Sequence, residues 1–143
     1  MSKLKLVLVT LLFTIPALFL GRVLWPPAPE LPTPSAMQLP LFALLYIIEG
    51  FLFGIGMTFI IFGWPLVKNF TEHSSVKSNK LSKLVFFSIS WLLVSWWPHD
   101  NMHIHNGYSI NGVLFIDYFF HLTVIIATLI ISLGFIELMK KKY

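Results

Sequence analysis

His99 and His103 stand four residues apart, and so do Asp117 and His121. At that spacing two side chains share one face of a helix, so each pair can turn two donor atoms to one point. Imidazole nitrogen and carboxylate oxygen are donors for zinc, copper or iron. The chain has no cysteine, which removes thiolate ligands, disulfides and CxxC redox chemistry. Asp100 and His105 lie close to the first pair, and Glu49 is a lone carboxylate inside an apolar run. A zinc site needs three or four such ligands in tetrahedral array. An iron site accepts two His and one carboxylate with positions left open.

The elements that must position these residues are membrane crossings. A mean hydropathy of +0.81, with 57% hydrophobic and only 11% charged residues, lies outside the soluble globular class. The apolar runs predict an all-α, integral membrane four-helix bundle in one domain. Its helices fall at about 6–25, 41–64, 81–97 and 113–139, each near the length that crosses a hydrocarbon core. All nine lysines flank one end of these runs: Lys3 and Lys5, then Lys68, Lys77, Lys80 and Lys83, then Lys140, Lys141 and Lys142. Lys-rich loops stay cytoplasmic, so both termini are expected in the cytoplasm and residues 99–111 outside. The net charge of +4 therefore reads as orientation signal and lipid contact, not as a nucleic-acid surface. The chain is expected in a plasma membrane or a bacterial inner membrane, with the lipid bilayer as its first partner.

The first run begins with lysines as a signal peptide would, but no A-x-A cleavage site follows, and it is read as a retained anchor. Arg22, the one basic residue at the outer end, can snorkel to headgroups. Residues 26–40 hold six of the nine prolines and read as an extended outer linker. Gly50 and Gly54 form a GxxxG that permits close helix approach, with packing inside the chain favoured over dimerisation. Residues 68–83 read as a polar inner loop, in which Asn69-Phe-Thr71 matches a glycosylation acceptor on the wrong side. Pro98 is expected to end or kink the third crossing, and a His-rich outer loop runs over 98–111. Trp25, Trp96 and Trp97 are placed at the outer interface and Trp64 at the inner one.

Depth brings the polar residues together. At 1.5 Å per residue, Glu49 lies about 12 Å below the outer start of the second crossing, and Asp117 and His121 about 6 and 12 Å below that of the fourth. Glu49 is expected to face the bundle near the fourth helix, sharing its face with Gly56 and Gly63. Thr128 and Ser132 extend the Asp117/His121 stripe inward as a polar seam. If the helix continues past Pro98 for one turn, His99 and His103 point the same way. Candidate metal ligands are thus His99, His103, Asp117, His121 and Glu49, with Asp100 and His105 as secondary candidates. A plainer chemistry is open for each: Asp117 and His121 as a self-satisfied pair, Glu49 as a protonated acid bonded to a neighbouring helix, Asp100 as a turn cap, and His105 as a polar loop residue.

The His99/His103 spacing is similar to one histidine box of membrane di-iron hydroxylases and desaturases, which carry several boxes where this chain has one. Asp117-x-x-x-His121 resembles ligand pairs of membrane copper oxygenases over five residues. Neither covers enough of the chain to place it in a family. The leading expectation is a small multi-pass membrane protein with a divalent zinc, copper or iron site near the extracytoplasmic face, with enzymatic activity left open. The alternatives are a metal-free accessory subunit of a larger membrane complex, or a homo-oligomer, with Trp91 and the phenylalanines packing on partner helices. Haem ligation through His121 and a second histidine ranks below both. With no internal repeat, a transporter ranks lower still.

Overall fold

The computed structural model describes residues 2–24, 35–72, 79–106 and 113–139. Six helices follow in order: α1 Lys3–Leu24, α2 Leu39–Phe62, α3 Trp64–Glu72, α4 Asn79–Val94, α5 Trp96–Asn106 and α6 Val113–Met139. Four stretches are long and apolar enough to cross a membrane, and the third, Asn79–His103, joins α4 to most of α5. Residues 26–34 of the proline-rich linker and the loop tip at 107–111 lie outside the described residues.

The packing is inside-out relative to a soluble protein. Phe19, Phe87 and Phe115 are 72%, 66% and 77% exposed, whereas Thr14, Ala17, Thr58, Ser82 and Ala127 are buried. Lipid tails solvate large apolar side chains, so helices gain by bringing small residues together and letting backbones approach. Gly50 and Gly54 carry out this role against α1. A Cβ at Gly54 would lie 2.6 Å from the Thr10 carbonyl oxygen, and one at Gly50 would lie 2.7 Å from Leu18 Cδ2. Thr10 and Thr58 share a hydroxyl hydrogen bond of 3.0 Å across the same interface. Gly56 faces the other way, where a Cβ would meet Leu93 Cβ at 2.9 Å. The GxxxG is therefore spent within the chain, and α2 sits between α1 and α4. Helix α6 packs along α4.

Two elements depart from the sequence expectation. Pro65 lacks the amide that α2 would need to continue, so α2 stops at Gly63 and a separate helix, α3, occupies the start of the expected polar loop. Of the two outcomes expected at Pro98, an end or a kink, the third crossing takes the kink. The bend falls at Ser95, and Pro98 sits third in α5, inside the first turn where no backbone donor is required. The expected loop from residue 98 is thus helical to Asn106.

Helix α5 is seated on α1 and α2. Trp97, 5% exposed, donates Nε1–H to the Ala17 carbonyl at 3.1 Å and packs its ring 4.8 Å from that of Phe53. Trp97 is therefore an internal anchor, not the interfacial tryptophan expected from its place beside Trp96. Asn101 is fully buried, donates to the Trp97 carbonyl at 2.8 Å, and presses its Oδ1 against Gly21. Leu18 and Ala17 of α1, Tyr46 and Glu49 of α2, α5 and the first turns of α6 so gather at one end of the array. Lys5, over the Phe62 ring at 5.3 Å, marks the other.

Candidate metal centre

Continuation of α5 through Pro98 places His99 and His103 one turn apart on the same face, opposite the second turn of α6. His99 Nε2 and His103 Nε2 each lie 3.0 Å from Asp117 Oδ1, and 3.2 Å from each other. These three residues can hold a metal ion as a group, each offering one ligand atom. Both imidazoles are inside the fold, with side chains 8% and 7% exposed, and Asp117 is 27% exposed.

The second nitrogen of His99 decides the electrostatics. Nδ1 is 2.8 Å from Asp100 Oδ1, so that contact takes the single ring proton of a neutral imidazole. The Nε2 lone pair then points at the Asp117 carboxylate and at His103. Protons alone satisfy this triangle poorly. Two N–H groups can both donate to Asp117 Oδ1, but this leaves two donors side by side and requires His99 to be a cation. One divalent ion in front of the triangle satisfies all three atoms at once.

The dimensions agree with that reading. With metal–ligand bonds of about 2.0–2.1 Å, neighbouring ligand atoms are separated by about 3.3 Å in a tetrahedron and about 3.0 Å on an octahedral face. The observed edges of 3.0, 3.0 and 3.2 Å lie in or beside that range. Asp100 occupies the place of the outer carboxylate that fixes tautomer and ring orientation in histidine–metal sites. Phe120 stacks on the His99 ring with centroids 3.7 Å apart, and Trp96 packs edge-on against Phe120 at 5.1 Å. An apolar wall therefore holds the ring in place.

The other candidates fall around the triad. His121 bonds its own helix, Nδ1 to the Asp117 carbonyl at 2.8 Å, and its Nδ1 stands 3.6 Å from Asp117 Oδ1. Its side chain is 55% exposed. Glu49 is buried on α2 and does not belong to the close group of His99, His103 and Asp117. The His105 side chain lies outside the described residues. Thr128 and Ser132 are exposed and return their hydroxyls to the carbonyls of Val124 and Thr128, both at 2.8 Å, so the seam does not lead into the site.

Sequence reasoning undervalued Asp100 and missed Phe120. Asp100 follows directly on a candidate ligand, and Phe120 lies three residues past Asp117, on the same helical side. Both signals were present in the spacing. Comparison of the chain with protein-family models, curated proteins and solved structures finds no match, so the chemistry of this centre is argued from its own geometry.

Proposed function

We propose that this chain is a multi-pass membrane protein that binds one divalent transition metal through His99, His103 and Asp117 at the extracytoplasmic end of its helices. The observation that carries the reading is the triangle of three ligand atoms with edges of 3.0–3.2 Å. Two imidazoles and one carboxylate leave coordination positions for water or substrate, as in catalytic zinc sites and two-His-one-carboxylate iron sites. An open zinc site acidifies bound water, whereas an open ferrous site binds oxygenous ligands. The orientation follows from the lysines, which flank the opposite end of the crossings from the triad. Plasma membrane or bacterial inner membrane fits that charge pattern.

Metal analysis of the full chain purified in detergent tests this reading. The expected result is one zinc, iron or copper per chain, and none in His103→Ala. Well-folded protein that takes up none of these metals on reconstitution would overturn it.

One observation favours a metal-free second reading. His99 stands between Asp100 at 2.8 Å and Asp117 at 3.0 Å, where an imidazolium would bridge α5 to α6 as a structural lock. The chain would then serve as an accessory subunit. Haem fits worse than either. Axial nitrogens of His121 and a second histidine must face each other across iron, whereas His121 Nδ1 bonds the Asp117 carbonyl and the Nε2 atoms of His99 and His103 face Asp117.

A further inference from the structure

The His99 ring is held both at its edge and on its face, and α6 supplies a contact of each kind. In the plane of the ring, Nδ1 meets Asp100 Oδ1 at 2.8 Å and Nε2 meets Asp117 Oδ1 at 3.0 Å. Contacts in the plane of a flat ring resist its tilting out of that plane poorly. The face is held by Phe120, which lies three residues past Asp117 and therefore on the same side of α6. Its ring stacks on the imidazole with centroids 3.7 Å apart and planes 15° from parallel. Phe120 is itself 5% exposed, and Trp96 of α5 braces it at 5.1 Å with the rings 80° apart. His103 meets His99 edge-on, with centroids 4.5 Å apart, so a tilt of His99 would carry into the second imidazole.

We infer that Phe120 is a positioning residue of the metal centre: its ring fixes the tilt of His99, so that Nε2 is aimed at the ligand triangle before a metal arrives. This rests on the metal-binding reading above. A flat ring supports another flat ring over its whole face. An aliphatic side chain of similar volume touches that face at a few carbons and lets it rock. A site holds its ligand well only while each donor stays within about 0.5 Å or 10–20° of the productive geometry. The stack keeps His99 inside such limits, and its ordering cost falls on folding, not on metal binding. A Phe120 that merely filled space between helices would leave the affinity of the folded protein unchanged.

The test uses the full chain in detergent, titrated with zinc for affinity and loaded with cobalt for a visible spectrum that reports ligand geometry. Phe120→Leu and Phe120→Met fill the space without a flat face, whereas Phe120→Tyr keeps the face. Phe86→Leu is the control. Phe86 is a buried ring of α4, stacked on Phe59 at 5.3 Å beside Trp64, toward the end of the array that Lys5 marks. Loss of either buried ring should lower the melting temperature of the metal-free protein. Only the Leu and Met variants at 120 should also weaken zinc binding, by about 10-fold or more as outer-shell changes do, and shift the cobalt spectrum. Phe120→Tyr should recover most of that loss. The inference is overturned if Leu and Met bind zinc as wild type does, if Phe86→Leu weakens zinc as much, if the cobalt spectrum does not move, or if Tyr is as weak as Leu. A wild type that takes no zinc, iron or copper overturns the metal reading and this inference together. The other outcomes overturn this inference alone.

Discussion

His99 Nε2 and His103 Nε2 lie 3.2 Å apart, closer than two imidazole nitrogens settle without a proton or a cation between them. The relationship depends on helix α5 running unbroken past Pro98, because only the four-residue helical repeat brings both rings to one side. It also depends on Asp117 reaching both rings from another helix. The centre therefore joins two elements that otherwise pack through α4, and a change at any corner should be felt at the others.

The ligand hierarchy follows from the distances. His99→Ala, His103→Ala and Asp117→Asn should each lose metal by more than the roughly 10–100-fold that outer-shell changes cost. His121→Ala should weaken binding less, because its nitrogen is bonded to its own helix and its side chain is half exposed. Titration of each variant with zinc, followed by metal analysis after desalting, gives the order. A His121→Ala variant weaker than His103→Ala would move the site outward along α6.

The four apolar stretches were legible from hydropathy, and spacing and depth gave a five-residue candidate set, His99, His103, Asp117, His121 and Glu49, of which the first three form the close group. What sequence left open was local and of two kinds. At Pro98 the sequence left open whether the crossing ends or kinks; it kinks, with the bend at Ser95 and helix again from Trp96. Depth along a helix was read as proximity, although the close group at Asp117 is made with His99 and His103 and does not include Glu49. Depth fixes one coordinate, whereas azimuth depends on which glycines meet which helices. Gly50 and Gly54 turn to α1 and Gly56 to α4.

Helix α1 should be part of the site's support. A Cβ at Gly21 would fall 3.1 Å from both Asn101 Cγ and Tyr46 Oη and against Asn101 Oδ1. Gly21→Leu should therefore push α5 off α1, lowering stability by about 1–3 kcal/mol, as overpacking does, and weakening metal binding with it. Thermal unfolding in detergent and a zinc titration check both. Unchanged zinc affinity in Gly21→Leu would detach the centre from α1.

The glycines should differ in what they tolerate. Gly54→Ala places a methyl 2.6 Å from the Thr10 backbone oxygen, which is fixed in α1, and should cost about 1–3 kcal/mol. Among the described residues Gly134→Ala meets Val85 Cγ2 alone, at 2.9 Å, and that side chain can turn. Melting temperatures should fall clearly for Gly54→Ala and little for Gly134→Ala. The reverse order would contradict the close approach of α1 and α2.

Orientation is open to direct labelling, since the native chain has no cysteine to remove. A membrane-impermeant thiol reagent applied to intact cells should modify Asn106→Cys and spare Ser74→Cys. Labelling at 74 but not 106 would invert the topology and put the centre on the cytoplasmic side.

The sign of the pH dependence separates a metal centre from a structural lock. A ligating imidazole must be unprotonated, so acid releases the metal and removes the stability that binding adds. The zinc-induced rise in melting temperature should thus be present at neutral pH and vanish as pH falls. A lock made of an imidazolium between Asp100 and Asp117 behaves oppositely. A contact that needs a charged imidazole is lost as pH rises through the ordinary histidine range. Melting temperatures with and without zinc, measured between about pH 5 and 8 where histidine changes charge, should diverge toward the upper end. Curves that coincide throughout, with stability declining as pH rises, would replace the metal by the lock and leave the chain as a helical subunit without a cofactor.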